Sequence, residues 1–248
     1  MYKPVVIVAL LLSFVVACDD DDAAGEEETT DEVVQEEVAE PAEEQEPDQE
    51  EGPRVNETET PSDDEIGELP EGIGLAVGES IPEISTQDSD GETLQLHELG
   101  EDSTLLVFFY RGGWCPYCNF QIREMTESYE QFAERDVLPV AISVDQVDKA
   151  AETNATYEIP FPVLADPELE IHESFNVVYE ASEEEVERLA GFGMDLEASS
   201  GRDHNSYAIP GVFIIDGEGT IQWAHANEDY SVRPSPEQLL TVIDELGE

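Results

Sequence analysis

Two cysteines, in the run Trp114-Cys115-Pro116-Tyr117-Cys118, are the residues whose type and spacing can do chemistry. One helical turn separates them, which permits a disulfide within the loop. They follow an apolar run and open an amphipathic segment, so a helix N-terminus is expected to favour a thiolate on the first of them, Cys115. Cys118 lies four residues before Ile122 and shares its inward face, which leaves Cys115 at an exposed tip. A zinc site would need two further ligands, and the chain has neither a second Cys pair nor a His-x-x-x-His. A purely structural disulfide across two intervening residues closes too small a loop to stabilise much. Thiol redox chemistry is what remains.

The elements that must position this pair can be read from the surrounding pattern. Leu105 to Tyr110 (LLVFFY) is all apolar and suits a strand buried on both faces. Ile122, Met125, Tyr129 and Phe132 then recur at helical spacing, predicting a helix from Pro116 to Arg135. Val137 to Val144 reads as a second buried strand, Asp148 to Tyr157 as a helix, and Phe161 to Leu164 as a short strand. Glu168 to Phe175 is expected to be helical, as is Glu183 to Leu189 within an insertion reaching Tyr207. Gly211 to Asp216 and Thr220 to Ala226 form a hairpin around Gly217-Glu218-Gly219. Ser235-Pro236-Glu237-Gln238 is a capping box that starts a last helix. Strands alternating with helices, then a hairpin and a helix, predict an α/β domain.

From about Ile73 onward the chain resembles the peroxiredoxin-like members of the AhpC/TSA branch of the thioredoxin superfamily. Phe108 to Cys118 carries the resemblance best, supported by Ser143-Val144-Asp145, Pro160 to Asp166, Pro210 to Asp216 and Asp229 to Pro234. It implies a thioredoxin fold, with a central mixed sheet flanked by helices, and thiol-dependent oxidoreductase activity without a cofactor. The site is a hybrid. Peroxiredoxins carry P-x-x-x-T-x-x-C, and aligned without gaps their Pro falls on Arg111, their Thr on Cys115 and their peroxide-attacking Cys on Cys118. Their catalytic Arg falls on Pro210, leaving Arg111 as the candidate replacement guanidinium. Against thioredoxins, Trp114 to Cys118 matches the W-C-x-x-C loop, and Pro210 takes the place of a cis-proline packed against the disulfide. The buried acid that thioredoxins keep six residues before the first Cys is Phe109 here.

Two mechanisms use the same pair. In one, a thiolate attacks a peroxide, becomes a sulfenic acid and condenses with the other Cys, and a thioredoxin-like donor or a membrane thiol relay reduces the disulfide. In the other, Cys115 attacks a protein disulfide and Cys118 resolves the mixed disulfide. Tyr110, Trp114, Pro116 and Tyr117 are expected to shape the site. His97, His172, His204 and His225 lack motif partners, and Arg233 is expected to pin the C-terminal loop rather than touch substrate.

The 248 residues include 62 acids and 9 bases, a formal charge of −53. Binding nucleic acid through phosphate contacts is excluded for want of a basic surface. The one apolar run, Val5 to Ala17, is too short to span a bilayer but suits a signal peptide. Val15-Val16-Ala17-Cys18 resembles the lipobox of bacterial lipoproteins, so residues 1–18 are expected to be a signal segment with Cys18 lipidated. Residues 19–70, at −23, cannot bury enough apolar surface to fold and read as a disordered spacer. Residues 71–248 are then one folded domain, itself at −31 with a single Lys, Lys149. That surface resembles those of salt-adapted organisms, where ions screen the self-repulsion. The expected setting is extracytoplasmic, on a bacterial membrane by a lipid anchor, in a halophilic or marine organism.

Overall fold

The structure, a computed structural model, describes residues 58–101 and 103–247. In chain order the elements are β1 (Ser85–Asp88), β2 (Thr93–Gln95), α1 (Leu96–Leu99), β3 (Thr104–Phe109), α2 (Pro116–Glu127), α3 (Tyr129–Ala133), β4 (Val137–Ser143) and α4 (Val147–Tyr157). There follow β5 (Val163–Ala165), α5 (Glu170–Ser174), β6 (Val178–Glu180), α6 (Glu183–Gly191), α7 (Leu196–Ser200), β7 (Ser206–Ala208), β8 (Gly211–Ile215), β9 (Ile221–Ala226) and α8 (Pro236–Leu246).

Seven strands make one mixed sheet in the order β2-β1-β5-β4-β3-β8-β9. The middle three, β3, β4 and β5, are parallel, and β8 and β1 flank them antiparallel. The all-apolar run on β3 follows from its central place. Leu106, Phe108 and Tyr110 face one core with Ile122, Met125 and Leu239, while Leu105, Val107 and Phe109 face another with Leu96, Ile171 and Phe175. Side chains alternate across a strand, so a strand covered on both faces must be apolar at every position. Deleting Phe109, which packs edge-on against His172 and Phe213, would cost about 3–5 kcal/mol.

The expected helix from Pro116 to Arg135 is two helices, broken at Ser128, whose backbone (φ −96°, ψ 1°) leaves the helical path. Ser128 N–H still bonds Glu124 O at 3.0 Å, so α2 is closed there and α3 restarts with Phe132 turned into the core. The hairpin and the last helix are as read. Ser235 Oγ accepts from Gln238 N–H while Gln238 Oε1 accepts from Ser235 N–H, completing the capping box.

The insertion between β5 and β8 forms its own small layer. Strands β6 and β7 pair antiparallel, and α6 and α7 close over them through Leu189, Leu196 and Tyr207. Residues 58–70, acidic in composition, meet the domain at several points: Glu59 forms a parallel bridge with Val232, Pro61 is buried, and Glu68 O accepts Ala226 N–H at 3.1 Å. The signal segment, Cys18 and the spacer up to residue 57 lie outside the described residues. Among the described residues no helix is long and apolar enough to cross a membrane.

Candidate active site

Strands β3 and β4 run parallel, with Phe109 opposite Ile142, so both chains leave the sheet at the same edge. From β3 comes the loop Arg111-Gly112-Gly113-Trp114. Gly112 has φ +144°, which a side chain would strain, and an added Cβ would meet Trp114 Nε1 at 2.4 Å. The turn closes with Cys115 N–H on Gly112 O at 3.0 Å, and Pro116 at the first helical position starts α2. From β4 comes Asp145, whose Oδ2 accepts Gly113 N–H at 2.8 Å. Asn119 Nδ2 on Gly113 O, 2.8 Å, ties the same loop to α2.

Both cysteines are free thiols and both are buried, Cys115 at 1% and Cys118 at 0% exposure. Cys115 is therefore not at an exposed tip: Trp114, Tyr117 and the insertion cover the loop from above. The stabilised thiolate is also not on the first cysteine. Burial pushes Cys118 up, but the Cys115 thiol, the Arg233 guanidinium and the Arg111 backbone N–H together bring it down to about 6. Burial raises Cys115 well above an ordinary thiol, and its hydrogen bond to Cys118 adds to that. Arg233 Nη2 stands 3.2 Å from Cys118 Sγ, and Arg111 N–H donates to the same sulfur at 3.3 Å. The Arg233 side chain is fixed by two further bonds, Nη1 to Gln121 Oε1 at 2.6 Å and Nε to Tyr230 O at 3.0 Å. Arg233 thus does hold the C-terminal loop, through Tyr230 O, and in addition reaches the Cys118 sulfur, a contact the sequence did not suggest.

The Arg111 guanidinium does not bond the thiolate. It sits in a cage of three rings, 5.0 Å from the Trp114 centroid, 4.2 Å from Tyr207 and 4.4 Å from Tyr230, with Glu185 Oε1 3.8 Å away. Glu185 in turn accepts from Tyr207 Oη at 2.6 Å and Tyr179 Oη at 2.8 Å, so the insertion holds Arg111 in place. A cavity of about 390 Å³ opens beside this cage, lined by Arg111, Trp114, Cys115, Pro116, Tyr117 and Tyr230 on one side. Leu189, Phe192 and Met194 of the insertion form its apolar wall.

A smaller cavity, about 220 Å³, lies on the far side of Arg111 and Tyr230 and is lined by Tyr207 and Pro210. All peptide bonds among the described residues are trans, so Pro210 is not the cis-proline expected from thioredoxins. Ile209 and Pro210 join β7 to β8, with Ile209 N–H on Val177 O at 2.8 Å and Asn227 N–H on Pro210 O at 3.1 Å. With the bond trans, the backbone groups on both sides of the ring find partners.

Tyr110 is fully buried below the loop, its hydroxyl unpartnered, and burial with nearby Asp145 pushes its pKa up. Asp145 is a buried acid beside the pair, raised to about 7 chiefly by burial, against the Gly113 and Ser143 hydrogen bonds that lower it. The position six residues before the first Cys is Phe109, and this acid comes instead from just beyond the end of β4. Ser143-Val144-Asp145 was a visible signal for it. Glu185, Tyr207 and Tyr230 had no such signal, because only the folded insertion and C-terminal loop bring them to Arg111. Among the described residues no group of three or more His, Cys, Asp or Glu could hold a metal.

The arrangement resembles known thiol enzymes along most of the domain. The chain is 26% identical over 103 residues to Peroxiredoxin Bcp of Bacillus subtilis, covering 42% of this chain and 65% of that protein. It is 27% identical over 105 residues to Thiol-disulfide oxidoreductase ResA of Bacillus thuringiensis, covering 42% and 60%. The matches thus span somewhat less than two thirds of these relatives' length. In fold it is similar to reduced Prx3 of Vibrio vulnificus, solved in complex with hydrogen peroxide: TM-score 0.56, 15% identity, 68% of this chain and 99% of that one. With a central mixed sheet flanked by helices and a family model matching residues 77–224, the chain belongs to the AhpC/TSA family.

Proposed function

We propose that this protein is a thiol peroxidase in which Cys118 attacks the peroxide and Cys115 resolves. One observation carries the reading: the sulfur that takes the two hydrogen bonds, from Arg233 Nη2 at 3.2 Å and Arg111 N–H at 3.3 Å, is the second cysteine and not the first. That is the position on which the peroxide-attacking Cys of peroxiredoxins falls. Arg233 supplies the guanidinium absent at Pro210.

In the first step the Cys118 thiolate attacks one peroxide oxygen. The S–O bond forms, the O–O bond breaks, and the alkoxide or hydroxide leaves to be protonated. The sulfenic acid on Cys118 then condenses with the Cys115 thiol, forming the Cys115–Cys118 disulfide and releasing water. A dithiol donor of thioredoxin type returns both to thiols by exchange, taking the oxidation with it. Cys115, not Cys118, lines the 390 Å³ cavity, so the peroxide enters past Cys115 and Tyr230. Arg111 keeps positive charge at that entrance, and Pro210 lines the smaller cavity on the other side of Arg111.

The test is to treat Cys115→Ser and Cys118→Ser with hydrogen peroxide and trap sulfenic acid with a cyclic diketone. Cys115→Ser is expected to accumulate the adduct at Cys118, and Cys118→Ser to give none. An adduct at Cys115 in Cys118→Ser would overturn the assignment of Cys118, and no adduct in either variant with insulin reduced instead would leave disulfide exchange as the activity. The access of Cys115 to the cavity is what favours that second reading; its raised pKa weighs against it.

The setting belongs to the same proposal: lipidation at Cys18, the acidic spacer, an extracytoplasmic place on a bacterial membrane, and a thioredoxin-like or membrane thiol relay as donor. The lipobox resemblance and the charge of −53 support it. Fractionation that left the chain in the cytosol would remove its basis, and a melting temperature insensitive to molar salt would remove the saline environment.

A further inference from the structure

We infer that residues 58–61, where the acidic segment meets the domain, are a strap that positions Arg233 on the Cys118 sulfur. The inference rests on Cys118 being the reacting thiolate. Glu59 N–H donates to Ser231 O at 2.9 Å, and Arg233 N–H donates to Glu59 O at 2.7 Å. These two bonds bracket Val232 in a parallel bridge, so the strap adds a backbone ladder to the segment that carries the guanidinium. Two residues on, Pro61 is buried, and its carbonyl accepts Gln238 Nε2 at 2.8 Å. Gln238 is the same residue that caps α8, so the strap is fastened to a helix start as well as to the loop.

The loop held this way has little else of its own. Residues 229–234 join β9 to α8 and contain no strand or helix. Within the loop are Asp229 hydrogen bonds to Ser231 and a turn from Val232 N–H to Asp229 O at 3.1 Å. Yet this loop delivers two site residues. Arg233 reaches Cys118 and Gln121, and Tyr230 covers Arg111 at 4.4 Å and meets Tyr117 edge-on at 5.3 Å. A charge stabilises a thiolate only while held at hydrogen-bond distance, so looseness at the Arg233 backbone reaches the sulfur. The Glu59 side chain takes no part: it is exposed, and both of the residue's bonds to the loop are made by backbone.

That last fact supplies the experiment. In the full chain, Glu59→Pro removes the N–H donated to Ser231, whereas Glu59→Ala leaves both backbone bonds intact. The readout is the pH midpoint of Cys118, followed without any reagent by the 13C chemical shift of its Cβ in cysteine-labelled protein. Cys115, Arg111, Asp145 and Tyr110, the other titratable or charged groups facing Cys118, are unchanged in both variants.

Glu59→Pro is expected to raise the midpoint by roughly half to one pH unit, and Glu59→Ala to leave it in place. Adding Glu59→Pro to Arg233→Gln is expected to raise it no further than Arg233→Gln alone, because both act through one guanidinium. Should Glu59→Pro unfold, Pro61→Ala removes only the buried ring and is expected to shift the midpoint the same way, less far. A folded strap variant with an unaltered midpoint, or one whose shift adds fully to that of Arg233→Gln, overturns the strap's positioning role. If Arg233→Gln itself leaves the midpoint unmoved, the failure lies in the thiolate assignment instead.

Discussion

Arg233 Nη2 stands 3.2 Å from Cys118 Sγ although 115 residues separate the two in the chain. The guanidinium is almost completely buried, at 1% exposure, and its three nitrogens are all engaged. Its charge therefore acts on the sulfur with little screening from water.

Replacing that charge should be costly. Arg233→Gln is expected to slow oxidation of Cys118 by hydrogen peroxide roughly 10- to 100-fold at pH 7, as thiolate is lost and the remaining sulfur is less well held. Arg233→Lys keeps a charge but not the fork that reaches Gln121 and Cys118 together, and should fall between. Stopped-flow oxidation at several pH values separates the two effects.

The pH dependence follows from Cys118 near 6. Its reaction with peroxide should rise through about pH 6 and be flat above about pH 7, where an ordinary thiol would still be gaining. Because the folded pKa is below the unfolded one, the thiolate contributes stability that is complete above the unfolded thiol's pKa and lost as pH falls through about 6. Urea unfolding of the reduced protein should show stability rising with pH in that window, and Cys118→Ala should flatten the rise.

Asp145 titrates with the opposite sign. Its folded value, about 7, is above the ordinary carboxyl, so its contribution is complete below about pH 4 and lost as pH rises through about 7. Asp145→Asn keeps an oxygen for Gly113 N–H and is expected to gain roughly 1–3 kcal/mol at pH 8 over the parent. The same urea series would show it; a loss of stability there would mean the ionised carboxylate is better solvated than its burial implies.

Gly112 admits no side chain. At φ +144° with Trp114 Nε1 and Asp145 Oδ1 at 2.4 and 2.9 Å from an added Cβ, Gly112→Ala should cost roughly 2–4 kcal/mol. Displacing the loop would also break Arg111 N–H from Cys118, so the pH midpoint of Cys118 should rise along with the fall in melting temperature.

Strands β3 and β4, the hairpin and the α8 capping box were legible because each declares itself locally: unbroken apolar runs, a Gly-rich turn, a Ser-Pro-Glu-Gln start. Strands β1 and β2, Ser85–Asp88 and Thr93–Gln95, are short, polar and at the sheet edge, so no hydrophobic period marks them. The cysteine pair was plain, but which sulfur is the thiolate was not. A helix N-terminus favours Cys115 by position alone, whereas the guanidinium that favours Cys118 arrives from the far end of the chain. The apolar wall of the cavity that Cys115 lines likewise comes from Leu189, Phe192 and Met194, which the insertion brings from more than 70 positions away. Contacts of that range leave no trace in local pattern.

The ring cage around Arg111 has one more consequence. The protein has two tryptophans, and one of them, Trp114, is both a wall of that cage and the immediate neighbour of Cys115. Indole emission responds to sulfur and to charge at contact range, so closing or opening the Cys115–Cys118 bond should change the brightness of Trp114. Trp223, stacked on His225, provides the steady background. The unlabelled protein thus carries its own optical gauge, on which turnover could be followed in real time from either side of the redox cycle.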